Sequence, residues 1–172
     1  LEIGYKMPGV FHDDYPALAV MDWLLSEGRT SRLYKSLVEG KELASEVGTS
    51  SATPGSRYPN FFLFYAAPKA GHSVSELEEA VYAELDALKT TAVSAEELQK
   101  TLNQYEAELV KANEANINLA VTLARSVSAY GDWRFKWDLL EKMKQVTPQD
   151  IMRVADKYFN RDNRVVVWLE PP

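Results

Sequence analysis

The sequence predicts an α+β domain, a largely antiparallel β-sheet with helices packed on one face. Strand-like and helix-like segments are segregated along the chain: one strand, two helices, two strands, four or five helices and a last strand. A doubly wound parallel sheet needs regular strand–helix alternation, so this order favours antiparallel pairing. With 172 residues, 46% of them hydrophobic, the chain can bury one core. We therefore predict a single domain over residues 1–172.

The first two elements follow from local patterns. Apolar residues alternate with polar or small ones over Leu1–Met7, which predicts a half-buried strand that Pro8 ends. A helix should follow, with Asp14 as its N-cap residue and Pro16 in its first turn. Gly28 is expected to end this helix.

A short second helix is predicted after this glycine. Thr30 or Ser31 can cap it, because hydroxyl oxygens accept the unpaired N–H groups of a first turn. Leu33 and Leu37, four residues apart, form its apolar stripe. Gly40 stands where a helix-ending residue with positive φ is expected.

The next two segments are predicted strands of different character. Glu46–Thr53 is rich in small and hydroxyl side chains, which pack poorly inside a sheet, so it is expected either at an edge or where another backbone approaches closely. Asn60–Ala67 is continuously apolar, which predicts a central strand covered on much of both faces.

The second half of the chain is predicted to be mainly helical. Ser73–Glu76 and Ser94–Glu97 match the capping box that opens a helix, and Thr147–Asp150 caps the last one. The asparagine-rich residues 113–118 mark either a bend in one long helix or a break between two. Residues 133–144 form another amphipathic helix, and residues 164–169 form a closing strand that Pro171 ends. Beyond the asparagines, the residues expected to be buried are Leu119, Leu123 and Val127.

Composition excludes several functions. The net charge is −6, from 25 acidic and 19 basic residues, which argues against binding to nucleic acid or an anionic membrane. The longest apolar run, residues 61–67, is too short to span a bilayer. The chain has no cysteine, so disulfides and thiolate sites are excluded.

The histidines do not form a zinc motif. An inverted zincin site needs two histidines on one helix with a glutamate between them, and a distant carboxylate. Only His12 and His72 are present, the first followed by two aspartates and the second by Ser73. We predict no catalytic residues and no metal ligands in this chain, with both histidines in turns or loops.

A resemblance to a known family is carried by the run Gly28–Leu37, which contains Ser-Arg-Leu-Tyr and leads through Gly40 to Val47. The run resembles the non-catalytic second domain of the insulinase or pitrilysin family, zinc peptidases with an inverted His-x-x-Glu-His motif. The helix opening at Ser94, the break at Tyr130–Trp133 and the later cap follow in the family's order. The resemblance therefore covers nearly the whole chain.

The resemblance implies a parent zinc metallopeptidase with its zinc in the preceding domain, and no cofactor in this one. Its implied partners are that zinc-binding domain, a second two-domain half, fused or separate, and an unfolded peptide substrate enclosed between the halves. Some domains of the family bind the substrate backbone through an arginine and, seven residues on, a tyrosine. These positions correspond here to Val38 and Ser45, so both functional residues are absent.

In some relatives the second domain also binds one end of the substrate as an added β-strand. By register, that exosite corresponds to Glu46, Val47, Gly48 and Thr49, together with the loop at Gly28. Strand addition uses main-chain hydrogen bonds, and small side chains let a peptide approach. The plainer interpretation is an ordinary edge strand.

Two other functions remain open at this stage. The same fold serves in structural or regulatory core subunits whose parent is not a protease, and a general peptide-binding module is the third alternative. A His-x-x-Glu-His motif in a preceding domain would favour the peptidase. An exposed apolar patch is expected wherever neighbouring domains pack.

Overall fold

The computed structural model describes residues 1–169, so the predicted strand end at Pro171 lies outside the described residues. The elements, in chain order, are β1 (Glu2–Met7), α1 (Tyr15–Ser26), a π-helix (Tyr34–Gly40), β2 (Ala44–Thr53), β3 (Asn60–Pro68), α2 (Val74–Thr90), α3 (Ala95–Ala112), α4 (Asn116–Tyr130), α5 (Phe135–Met143), α6 (Pro148–Tyr158), a 3-10 turn (Arg161–Asn163) and β4 (Arg164–Val167).

The four strands form one antiparallel sheet in the order β2-β3-β1-β4. Helix α1 packs on β2, α2 on β3 and α6 on β1, all on the face we call the helical face. The predicted α+β class and the central position of β3 are therefore confirmed, and of the two alternatives for β2 the structure shows the edge position.

Helix α1 lies at the centre of the domain. It is covered by the sheet on one side and by α3, α5 and α6 on the others. Nine of its twelve residues are buried: Tyr15, Pro16, Ala17, Leu18, Ala19, Val20, Met21, Leu24 and Leu25. Apolar residues on almost every side of a helix are typical of one enclosed by the core.

Asp14 stands at the N-cap position of α1, as predicted, but its side chain does not cap the helix. The buried carboxylate instead accepts hydrogen bonds from Arg153, Lys157 and Tyr158 of α6. Burial alone would raise the pKa of the Asp14 carboxyl, but the bonds from Lys157, Tyr158 and Arg153 outweigh it and hold the pKa well below its usual range. Asp14 thus joins the start of α1 to α6.

The predicted helix caps are present, with one difference. Ser73 and Ser94 accept the backbone N–H of the residue three positions on, and the reciprocal bonds of a full capping box form only at Thr147 and Asp150. The glutamates of the other two pairs bind elsewhere: Glu76 contacts His72, and Glu97 binds Arg32. A long-range arginine partner competes with the local backbone for the same carboxylate.

The asparagine-rich stretch is a break, since α3 ends at Ala112 and α4 begins at Asn116. The predicted burial beyond it is wrong: Leu119 and Leu123 are only half-buried, and Val127 is 51% exposed. Helix α4 packs mainly against α5, so most of its apolar surface has no covering element within residues 1–169. This is one exposed apolar patch of the kind that the sequence predicted.

The face of the sheet opposite the helices, which we call the outer face, is uncovered in the described structure. Phe62 and Phe64 of β3 are buried on the helical face, whereas Phe61, Leu63 and Tyr65 alternate with them on the outer face. The expectation that this strand is covered on much of both faces is therefore wrong for the outer face, where Tyr65 is 40% exposed. The run is continuously apolar because β3 carries hydrophobic side chains on both faces of the sheet. The helices cover only one of these faces.

Replacing Asp14 with asparagine should lower the free energy of unfolding at neutral pH by about 2 kcal/mol, because two cations of α6 lose their charged acceptor. The folded-state pKa of Asp14 is depressed, so its contribution is present above the unfolded value near 4 and is lost as the pH falls further. Denaturant unfolding at several pH values should show a flatter acid dependence in the variant.

The matched control is Asp156→Asn, an exposed aspartate on the same helix with no hydrogen bond or ion pair among the described residues. Equal stability of Asp14→Asn and Asp156→Asn would contradict the role given to Asp14.

Candidate peptide-binding edge

Strand β2 has one free edge in the described structure. It pairs with β3 on one side, and no other strand of residues 1–169 pairs with it on the other. Along this edge Glu46 is exposed, Val47 and Thr49 are half-buried, and Gly48 is buried. Four of the five residues predicted for the exosite are therefore consecutive on a strand that can accept a further strand.

The side chains of β2 alternate between the two faces of the sheet. Val47 and Thr49 lie opposite Ala66 and Phe64, which are buried under the helices. Glu46 and Gly48 therefore lie on the outer face, and Gly48 is opposite Tyr65.

Helix α1 holds β2 through the carboxylate of Asp22. Its oxygens accept hydrogen bonds from the Thr49 hydroxyl, from the Ser51 backbone N–H at 2.9 Å and from the Ser51 hydroxyl at 2.8 Å. A half-buried carboxylate with three donors fixes the strand against the helix. The free edge of β2 is consequently attached to the most buried element of the domain.

The loop after α1 lies beside the same strand. The hydroxyl oxygens of Ser26 and Thr49 are 2.6 Å apart, which brings the predicted loop and the predicted edge together. Gly28 has φ of +71°, and its carbonyl oxygen accepts bonds from the backbone N–H and the hydroxyl of Ser31. Gly28 is therefore needed for a left-handed turn rather than for a close approach, since an added Cβ would meet nothing within 4 Å.

The Ser-Arg-Leu-Tyr run has a structural role at this site. Arg32 binds both oxygens of Glu97 on α3, with two N···O distances of 2.7 Å. The hydrogen bonds between the two side chains raise the pKa of Arg32 and lower the pKa of Glu97. With Leu33 and Leu37 fully buried, the segment is anchored to the core.

Two expectations for this segment are wrong. Ser31 donates its hydroxyl to Gly28 rather than accepting a first-turn N–H, and Gly40 does not take positive φ. Glu42 does so instead, at +54°. Gly40 lies in the π-helix, where an added Cβ would come within 2.9 Å of the Lys35 carbonyl oxygen, so close packing explains this glycine.

The two positions predicted to correspond to the substrate-binding arginine and tyrosine of some related domains, Val38 and Ser45, have structural contacts here. Val38 is half-buried against the hydrophobic core, and Ser45 is exposed and donates its hydroxyl to the Ala67 carbonyl oxygen at 3.3 Å. Neither side chain can supply the cation or the phenol of the arginine–tyrosine pair.

Two residues of the site were missed in the sequence. Asp22 is the only charged residue within α1, and a lone acid in an apolar helix signals a specific partner. Tyr65 is hidden in the continuous apolar run of β3, and no local pattern showed that its ring lies over Gly48.

No group of three or more histidine, cysteine, aspartate or glutamate side chains in residues 1–169 is placed to hold a metal ion. The His12 ring nitrogen Nδ1 accepts the backbone N–H of Asp14, and the His72 ring contacts Glu76. Each histidine therefore contacts a residue only two or four positions further along the chain. No helix of the described part is long and apolar enough to cross a bilayer.

Comparison with known proteins identifies the family of this chain. The family model described as the peptidase M16 inactive domain matches residues 1–105. The chain belongs to the peptidase M16 family, as its inactive domain. This confirms the insulinase-type resemblance, including its non-catalytic second domain.

The relatives of this M16 inactive domain include zinc proteases. The zinc protease PqqE of Helicobacter pylori is 28% identical over 169 residues, which are 98% of this chain and 37% of that protein. A protease structure from the same organism superposes with a TM-score of 0.86 at 27% identity, over 95% of this chain and 39% of that one. The chain thus spans less than two fifths of the length of either.

A third comparison concerns an isolated domain. The inactive peptidase domain of a candidate zinc protease from Bordetella parapertussis has a TM-score of 0.81 at 22% identity, over 95% of this chain and 87% of that one. At this identity the likeness supports the fold alone.

Replacing Asp22 with alanine should release β2 from α1. We expect the free energy of unfolding to fall by about 2 kcal/mol, because the Ser51 N–H and two hydroxyls lose their acceptor. Hydrogen exchange should accelerate first in β2. The control is Glu79→Ala, an exposed residue of α2 without a hydrogen-bond partner among the described residues. If hydrogen exchange in β2 is equally fast in the two variants, Asp22 does not hold β2 to α1.

Proposed function

We propose that this chain is the non-catalytic domain of an insulinase-family zinc metalloendopeptidase, with the catalytic zinc in a preceding domain. In this role it forms part of the wall that encloses an unfolded peptide and part of the interface to its partner domains. The observation that carries the proposal is the match to the M16 inactive domain in a chain whose only histidines are isolated. A zinc protease relative more than twice as long supports the presence of further domains in the parent.

The finer part of the proposal concerns the edge of β2. We expect one end of the peptide to add to this edge as a further antiparallel or parallel strand, at Glu46–Thr49. The unpaired edge, its attachment to α1 through Asp22 and the adjacent loop at Gly28 support this, because a rigid strand loses little entropy on binding.

The alternative, a structural or regulatory core subunit without a proteolytic parent, uses the same surfaces for assembly alone. The zinc protease relative favours the peptidase assignment.

The chain by itself should bind no stoichiometric zinc and cleave no peptide. Metal analysis of the purified chain and a quenched-fluorescence peptide assay with and without chelator test this. A zinc protease with an intact His-x-x-Glu-His motif, prepared in the same way, is the positive control. Stoichiometric zinc together with chelator-sensitive cleavage would contradict the assignment.

An extended peptide should protect the backbone amides of β2 from hydrogen exchange when it is added in excess. The control is inside the molecule, since β4 is the other edge strand of the same sheet and should show no added protection. Protection at β4 instead, or at neither edge, would contradict strand addition at Glu46–Thr49.

A further inference from the structure

We propose that Tyr65 and Gly48 form a side-chain subsite that selects an aromatic residue in a peptide strand added to β2. This inference rests on the proposed function, because it concerns the side chains of a peptide bound at that edge. It adds a sequence preference to an interaction that main-chain hydrogen bonds alone would leave nonspecific.

The subsite begins with the position of the Tyr65 ring. A Cβ built on Gly48 would overlap the ring and hydroxyl of Tyr65, so the phenol lies across the glycine on the outer face. Tyr65 stands on β3 and its ring reaches over β2, the edge strand. The absence of a side chain at Gly48 is what lets an aromatic ring approach the edge.

The next step is the position of a bound peptide. An added strand would lie about 4.8 Å beyond β2, and residues directly opposite each other point to the same face. The peptide residue opposite Gly48 therefore projects onto the outer face next to the Tyr65 ring, and Tyr65 is 40% exposed. An aromatic side chain there can meet the ring edge-on or offset, the arrangements that aromatic pairs prefer.

The surroundings leave room for such a side chain. The other outer-face positions nearest on β2 are Glu46, which is exposed, and Ser50, which is small. No helix of residues 1–169 covers the outer face, and the Tyr65 hydroxyl has no hydrogen-bond partner among the described residues. The hydroxyl is thus available to a donor or acceptor of the peptide.

The sheet contains a second aromatic ring that lies over a glycine, away from the free edge of β2. Phe61, also on β3, lies over Gly4 of the central strand β1, where an added Cβ would be 3.3 Å from its ring. This ring covers a glycine in the same way but reaches away from β2. It serves as the control for effects of removing any aromatic ring from the outer face.

The test uses a fluorescein-labelled peptide as long as β2, of alternating threonine and glutamine with one central tryptophan, and the same peptide with alanine in its place. Fluorescence anisotropy should show that the tryptophan peptide binds about two- to fivefold more tightly, the range for aromatic cross-strand pairs. Tyr65→Ala should remove this preference, and Phe61→Leu should keep it.

A third peptide separates the two proposals. N-methylation of alternate backbone amides on the pairing edge removes its N–H donors and places methyl groups against β2, without changing the side chains. If the methylated peptide binds as well as the parent, or if no peptide binds, strand addition is wrong and the subsite is wrong with it.

If methylation abolishes binding but tryptophan and alanine peptides bind equally, strand addition stands and the Tyr65 subsite is wrong. A preference that survives Tyr65→Ala, or that disappears equally in Phe61→Leu, also overturns the subsite. Circular dichroism melting of both variants checks that each remains folded.

Discussion

The burial of α1 is the constraint on which the rest of the domain depends. This helix lies between the sheet and three other helices, and nine of its twelve residues are inaccessible. A polar group in such a position must be paired, because an unpaired carboxylate away from water is strongly destabilising. Asp14 just before α1 and Asp22 within it satisfy this requirement in two directions, one towards α6 and the other towards β2.

These two carboxylates explain how the domain presents a defined surface along β2. The hydrogen bonds of Asp22 fix β2 to α1, while its free edge pairs with no strand of residues 1–169. An edge strand that moved freely would have to be ordered when a peptide binds, and that cost would weaken the complex. The hydrogen bonds of Asp22 thus connect the buried helix α1 directly to the candidate binding edge.

The motif that identified the family is structural in this chain. Gly28 makes a left-handed turn, Arg32 joins the short helical segment to α3, and Leu33 and Leu37 fill the core. In a domain whose family role is non-catalytic, such residues preserve the position of the edge strand relative to the helices. The recognisable part of the sequence therefore reports how the domain is built.

Local chemistry was enough to predict the class and several elements. The small and hydroxyl residues of β2 indicated an edge, and hydroxyl residues at three helix starts are the observed caps. These predictions succeed because strand alternation and helix capping act between residues a few positions apart.

The sequence by itself determined the family, the antiparallel α+β class and the lack of a zinc motif, since these depend on residue types and their spacing. Only the tertiary structure decided that Asp14 binds α6, 139 positions further along the chain, and that the ring of Tyr65 covers Gly48. It also decided that the apolar side of α4 and the outer face of the sheet stay uncovered in residues 1–169. Each of these features depends on which distant surfaces meet, and the local period of a sequence carries no information about that.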